Sequence, residues 1–463
     1  MMADSTPTLE GPITGGKHGY PFGAYYGNID DIGYMEEEFF LSGTATRYKP
    51  EGNLTSDGLW KLNRSTSDLY KTRVLVHRPR DANFSGTVIV EWANVSNGYE
   101  ISFSNATGLY DARFAYVSVS AQKIGLDGYE IDPVGLKHWD PQRYSSLSIL
   151  DDALSYDIFT QAGKLLRDEI EPVIGRPLLL GGLKPREIIA VGGSQSGTRI
   201  LAYTNGVQPL ENIFHAIMPL VCAGRSADFS PEPAHPVPRK HSRSITTRVR
   251  SDLTIPVMEI NSETEALVYH TCGSLQPDTD KFRYWEITGS SHANSGILKK
   301  IANTANRDNV KAPGDALRPS DVDWLPTIDA AYRHMRQWIR GESKPPRMPL
   351  MLMDTSNNTP KLLRNVDGNV EGGICLPELT VPIATYEGFD GMSLGGRTIP
   401  FDNDKLKSLY PTHGEYVERV AIAAKRSFKE GIILQYRVEE YVKAAQAASV
   451  PPPHTNKKFI DRW

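Results

Sequence analysis

Ile188-Ile189-Ala190-Val191-Gly192-Gly193-Ser194-Gln195-Ser196-Gly197 is the stretch that decides how this chain is read. A short apolar run stops at two glycines, a serine follows, and a helix-capable segment begins at once. This is the pattern of a strand that turns sharply into a helix with a serine on the turn. Such a turn is tight, so small residues must flank the serine. A hydroxyl at that position projects beyond the sheet edge. It also sits at a helix N-terminus, where free N–H groups favour developing negative charge. The strand ending at Val191 puts Ser194 on the turn. Ser196, flanked by Ser194 and Thr198, is the rival, and reads as a hydroxyl in the first helical turn.

Working outward, Phe39 to Tyr48 and Lys71 to Arg78 gather β-formers and read as antiparallel opening strands. Thr87 to Trp92 and Phe114 to Ser120 read as buried strands. Leu147, Leu150, Leu154, Ile158, Ala162 and Leu166 recur at steps of three and four, which predicts a helix over 147–166. After the elbow, Thr198 to Gly206 reads as a helix and Phe214 to Val221 as a strand. Residues 222–253 lose periodicity and read as an excursion or lid. Ile255–Ile260 and Phe282–Ile287 read as strands, Trp324–Ile339 as an amphipathic helix. Pro345 to Pro400 shows few clear elements, and Leu406 to Ala448 is mainly helical. Strands alternating with helices predict an α/β fold, a mainly parallel sheet covered on both faces. The expected organisation is an N-terminal extension with first strands over 1–70, the first 24 residues loose. A core follows over 71–340, then a C-terminal extension over 341–463, helical at its end and packed on the core.

Composition excludes several classes. The chain has 463 residues, 40% hydrophobic and 23% charged, with a net charge of -4, so nothing points to a nucleic-acid partner. Three scattered cysteines, Cys222, Cys272 and Cys375, suit neither a disulfide framework nor a zinc site and suggest a reducing compartment. Residues 1–16 lack the pattern of a secretory signal, and no apolar run reaches the roughly 18 residues of a membrane span. A cytoplasmic protein without a membrane partner is expected, its oligomeric state unread. There is no phosphate-binding glycine loop and no internal repeat.

A serine hydroxyl needs a base, an acid to orient that base, and donors for an oxyanion. In sheets with this kind of elbow they follow in the order nucleophile, acid, histidine, each after a strand. His292 follows strand 282–287 through Thr288-Gly289-Ser290-Ser291. The acid lies in Asn261-Ser262-Glu263-Thr264-Glu265. If that segment is extended, two carboxylates two apart cannot both face one histidine. The acid falls about three residues after a small residue at the strand end, here Ser262, which favours Glu265 and leaves Glu263 as the alternative. Oxyanion donors are expected from the backbone of Gln195 and from Asn94 or Val95 in the loop Asn94–Gly98.

With those residues in hand, the chain resembles the α/β-hydrolase superfamily, and within it a mainly bacterial group known only as alpha/beta hydrolase domain proteins. The segments that carry the likeness include Val90-Glu91-Trp92-Ala93-Asn94-Val95-Ser96, Val119-Ser120-Ala121-Gln122, Ser155-Tyr156-Asp157-Ile158-Phe159, Gly193-Ser194-Gln195-Ser196, Ser262-Glu263-Thr264-Glu265 and Gly289-Ser290-Ser291-His292-Ala293. The resemblance implies an esterase-like fold with Ser194, Glu265 and His292 as a triad, and little about substrate. Where a common elbow has glycine two residues after the nucleophile, this chain has Ser196.

The expected activity is hydrolysis of a carboxylic ester or lactone of a small to medium molecule, with no metal or organic cofactor. Acyl transfer or amide cleavage on the same triad, and a non-catalytic binding role, are the alternatives. Trp92, Tyr99, Gln122, Trp139 and Tyr144 are candidate pocket residues, although core packing is the more frequent fate of such aromatics. Asp140, Arg143 and Tyr144 read equally as the substrate mouth or as a helix cap. The basic run Arg239 to Arg250 reads as a solvated face, or else as a lid that steers an acidic substrate. His413 reads as a structural turn residue.

Overall fold

A computed structural model describes residues 6–80, 83–169, 178–232, 245–313, 318–356, 360–389, 391 and 393–451. Nine strands form one sheet: β1 (Thr8–Glu10), β2 (Tyr34–Pro50), β3 (Leu62–Pro79), β4 (Thr87–Trp92), β5 (Ala115–Val119), β6 (Glu187–Gly193), β7 (Ala216–Leu220), β8 (Val257–Ser262) and β9 (Phe282–Ile287). Their order is β1-β2-β3-β5-β4-β6-β7-β8-β9. The pairs from β1 through β3 to β5 are antiparallel. Every pair from β5 to β9 is parallel. Every residue of β4 to β9 is buried. That is why these strands read as short, nearly continuous apolar runs: a parallel sheet is covered on both faces. Strand β6 lies between β4 and β7, so its C-terminal end opens at the middle of the sheet edge.

The longer helices are α1 (Ser155–Asp168), α2 (Gln195–Ala202), α3 (Glu263–Cys272), α4 (Ser295–Arg307), α5 (Leu325–Ile339), α6 (His413–Lys429) and α7 (Gln435–Ala447). Of the described residues, no helix is long and apolar enough to cross a membrane. One apolar cluster runs from Leu9 to Val450, so the first strands and the last helices share the central core.

Four expectations need correcting. The leucine period does not make an α-helix over 147–154: residues 147–151 are not helical, and Asp152–Leu154 is a single 3-10 turn. Ser148 pairs with Lys71 beside β3, Leu150 is exposed, and α1 starts only at Ser155. The period arises because the segment ahead of α1 buries Leu147, Ile149 and Leu154 without forming an α-helix. Residues 6–24 are not loose. β1 pairs with β2, Phe22 is buried, and Arg143 donates to the carbonyls of Ile13 and Gly15. Residues 263–265 are not extended but open α3. The Pro/Gly-rich 345–400 region carries short hairpins, Met353–Asp354 with Lys361–Leu362 and Ala384–Glu387 with Arg397–Pro400. It also adds Ile374 to the edge of β9. Residues 233–244 of the expected lid, with Arg239, Lys240, His241 and Arg243, lie outside the described residues. The flanks of that segment form a small hairpin, Arg225–Ser226 with Ile245–Thr246. Arg248 and Arg250 are tied down rather than presented to a ligand. Arg248 donates to the Gly273 carbonyl, and Arg250 pairs with Asp252 and donates to the Asn205 carbonyl.

The sheet face at β8 and β9 carries buried acids. In register, Glu259 lies opposite Tyr284, and Asn261 opposite Glu286. Tyr269 donates to Glu259 at 2.5 Å and Tyr284 to Glu286 at 2.9 Å. Burial nevertheless pushes both carboxyls up to about 7. In the unfolded chain such a group ionises near 4.5. Between those two values the unfolded state loses its proton first, so the stability contributed by the neutral folded form declines as pH rises to about 7. Glu259→Gln keeps the acceptor for Tyr269 and cannot ionise. Its melting temperature is expected to rise relative to wild type on going from pH 5 to pH 8. Parallel thermal unfolding curves check this, and a pH-independent difference would contradict it.

Candidate active site

The elbow is built by close approach. A Cβ on Gly192 would lie 2.7 Å from both the Ser196 carbonyl and the Ile200 side chain, and one on Gly197 would lie 2.5 Å from the Leu220 carbonyl. Only glycine lets β6, α2 and β7 meet this tightly. Ser194 stands between them at φ 60°, ψ -121°. A non-glycine residue there is strained, and the surrounding packing must hold it. Its side chain stays partly exposed at the sheet edge. Ser196, the rival, is fully buried. Its hydroxyl accepts from the Gly193 N–H at 3.0 Å and donates to the Gly193 carbonyl at 2.9 Å. The serine found where a common elbow has glycine thus turns inward and clasps the turn, while Gly197 provides the close approach.

Three side chains from distant parts of the chain meet here. The Ser194 hydroxyl lies 2.7 Å from His292 Nε2, and His292 Nδ1 lies 2.6 Å from Glu265 Oε1. The other carboxylate oxygen, Oε2, accepts from the Ser262 N–H at 3.0 Å and from the Ser262 hydroxyl at 2.6 Å. A carboxylate can only accept, so Nδ1 carries the imidazole proton and Nε2 accepts from the Ser194 hydroxyl. Glu265 is fixed because Ser262 and Glu265 form a capping box at the start of α3. The box is legible in the sequence as Ser-x-x-Glu at the end of a strand.

Glu263 has a different task. It is buried and accepts from the Gly289 N–H at 2.9 Å and from Arg364 at 2.6 Å. Burial pushes its carboxyl up, and Arg364 opposes that shift. Helical geometry resolves the two-carboxylate problem: Glu263 points to the loop before His292, Glu265 to the ring. Thr264, between them, accepts from the His292 N–H at 3.0 Å and donates to the Gly388 carbonyl at 2.6 Å. It was not singled out from the sequence, nor was Phe103, which packs edge-on to the His292 ring at 6.4 Å. Glu91, on β4, holds the loop that carries Phe103 by accepting from the N–H groups of Phe103 and Ser104.

Of the three expected oxyanion donors, one is excluded. The Asn94 N–H donates to the Ile101 carbonyl at 3.1 Å, and the Asn94 side chain donates to the Gly193 carbonyl at 2.9 Å. Asn94 is spent on tying the loop to the elbow. The Val95 N–H faces the Gln195 side-chain oxygen at 3.5 Å, a long contact. Gln195 is the first residue of α2, so its own N–H has no acceptor within the helix.

The expected pocket residues are mostly interior. Trp92 is fully buried against Tyr156 and Phe159. Trp139 stacks on His18 and donates to the Asp308 carbonyl. Tyr144 is fully buried and donates to Glu38. These aromatics are core, because each finds a partner for its polar atom inside the protein. Asp140 is a helix cap that accepts from the Arg143 N–H, and Arg143 pairs with Glu38. Gln122 is buried and bonded to Trp92, Gln195 and Asp152. Tyr99 borders a cavity of about 460 Å³ with Lys300, Asp329 and Tyr436, but Ser194, Glu265 and His292 do not line it. His413 opens α6, and its ring bonds the Val450 carbonyl, a structural contact.

A family model described as alpha/beta hydrolase domain matches residues 9–443. The chain belongs to this family. Its large, mostly parallel sheet with flanking helices is the α/β-hydrolase fold. No curated protein matches. Among solved structures it is similar to a putative dienelactone hydrolase from Klebsiella pneumoniae subsp. pneumoniae MGH 78578, at 11% identity over 65% of this chain and 98% of that one, with a TM-score of 0.28. It is also similar to an esterase from Rhizomucor miehei, at 10% identity over 65% and 85%, with a TM-score of 0.32. A glucuronoyl esterase from Solibacter usitatus matches at 10% identity over 60% and 80%, with a TM-score of 0.28.

Proposed function

We propose that the protein is a serine hydrolase that cleaves a carboxylic ester or lactone of a small to medium molecule through an acyl-enzyme. The observation that carries this reading is the continuous chain from the Ser194 hydroxyl to His292 and Glu265, at 2.7 and 2.6 Å, on a strained strand-to-helix turn. Ser194 Oγ attacks the ester carbonyl carbon while its proton passes to His292 Nε2. Glu265 holds the imidazolium in orientation and offsets its charge. The negative oxygen of the tetrahedral intermediate is held by the N–H groups of Gln195 and Val95. Collapse expels the alcohol, which takes the proton from His292. A water then loses a proton to His292 and attacks the acyl carbon, and collapse of this second tetrahedral intermediate releases the acid as Ser194 Oγ takes that proton back. Three unpaired cysteines accord with a reducing compartment such as the cytoplasm.

The test is labelling with a fluorophosphonate, mass mapping of the modified residue, and a panel of esters and lactones. One equivalent of label on Ser194 with turnover of panel members is expected. An unlabelled protein, or label on Ser196, overturns the assignment. Competition among water, an alcohol and an amine for the acyl group separates hydrolysis from acyl transfer.

A further inference from the structure

The side chain of Gln195 belongs to a relay that its backbone role does not require. At the far end Asp152, fully buried, pairs with Arg199 of α2 at 3.2 Å and accepts from the Lys123 N–H at 3.0 Å. Asp152 also accepts from Gln122 Nε2 at 2.9 Å. Gln122 Oε1 in turn accepts from the Trp92 indole at 3.1 Å and from Gln195 Nε2 at 3.0 Å. The sense of both amides is fixed by chemistry. A carboxylate only accepts and an indole N–H only donates, so Gln122 has one workable orientation. Gln195 must then turn its NH₂ toward Gln122 and its carbonyl oxygen toward the Val95 N–H.

We propose that Gln195 is a positioning residue whose side-chain oxygen holds the Val95 N–H in place until the oxygen of the reacting carbonyl takes it over. This rests on the serine-hydrolase reading above. The relay makes the arrangement rigid at one end, where Asp152, Gln122 and Trp92 are buried. It leaves it loose at the other, where a 3.5 Å contact is weak enough to be exchanged for a charged oxygen at little cost. Without the carboxamide, the 94–98 loop has one fewer tie to the elbow, and the donor must be ordered anew in each turnover.

The test compares Gln195→Leu, Gln122→Met and the double variant with wild type. All are counted by fluorophosphonate titration, so that rates refer to active sites. For Gln195→Leu, kcat per titrated site is expected to fall roughly 10–100-fold, less than the loss of a whole oxyanion donor. KM should stay near wild type, and affinity for a trifluoromethyl ketone, which forms the tetrahedral oxyanion, should fall in step with kcat. Gln122→Met should show the same pattern more weakly and add nothing in the Gln195→Leu background, since it acts through Gln195. Wild-type kcat per site and wild-type ketone affinity in Gln195→Leu overturn the proposal. So do additive effects in the double variant, which would mean that Gln122 acts elsewhere. If Gln195→Leu does not fold, Gln195→Met repeats the measurement with an unbranched chain, under the same criteria. Failure of the underlying reading is separate, because wild type itself would then carry no label on Ser194.

Discussion

Ser194→Ala is expected to lower turnover of a reactive ester by about 10⁴–10⁶-fold while leaving KM close to wild type. The loss is large because nothing nearby can replace the hydroxyl. Ser196, two residues on, is fully buried with its oxygen committed to Gly193, on the inner side of the turn. His292 would still offer Nε2, but only to water that no elbow orients. His292→Ala should lose a similar factor, and the double variant little more, because the two residues act as one unit. Ser196→Ala should retain activity within a few-fold and show its effect instead as a lower melting temperature. Steady-state kinetics on the purified variants, with protein quantified by mass, check all four. A Ser194→Ala protein near wild-type activity would remove the triad, whatever the distances.

That the proposed nucleophile and base stand out in the sequence has a physical basis. Strands β4, β6 and β9 are buried on both faces, so their apolar runs are dense and their ends abrupt. Ser194 and His292 stand just beyond such ends, where a turn of small residues marks the boundary. The acid was harder. Spacing alone leaves open whether 263–265 extends the strand, whereas Ser262 caps a helix and Glu265 curls back to it. α3 was missed because its buried positions, Glu263 to Ala266 and Tyr269, follow no apolar stripe. α4 was missed for the opposite reason. Its stripe is narrow, Ile297, Ile301 and Ala305, in an otherwise polar sequence.

The pocket was least legible. Trp92, Trp139 and Tyr144 lie near strand or helix ends, but their polar atoms are answered inside the protein by Gln122, the Asp308 carbonyl and Glu38. Those answers come from residues 30 to 169 positions away, and no local pattern reports them. The N-terminal stretch misled in the same way. Its Gly and Pro content signals irregular backbone. Buried Arg73 and Arg143 then reach that backbone and bond the carbonyls of Phe22, Ile13 and Gly15.

Glu265→Gln is expected to cost about 10³–10⁴-fold in kcat, with the protein folded and KM little changed. Glutamine fills the same space but can present its NH₂ to His292 Nδ1. That favours the tautomer with the proton on Nε2, which can no longer accept from Ser194. Nor can it offset the charge the ring acquires in the transition state. Glu263→Gln is the control, since the two carboxylates differ by only two positions. Its partners are the Gly289 N–H and Arg364 rather than the imidazole. Removing its charge takes away the ionic partner that Arg364 has among the described residues, so the effect should appear as a lower melting temperature, with kcat within a few-fold of wild type. Kinetics and thermal unfolding on both variants separate the two roles. The reverse outcome, with Glu263→Gln inactive and Glu265→Gln active, would require the histidine to turn to a different acid during catalysis.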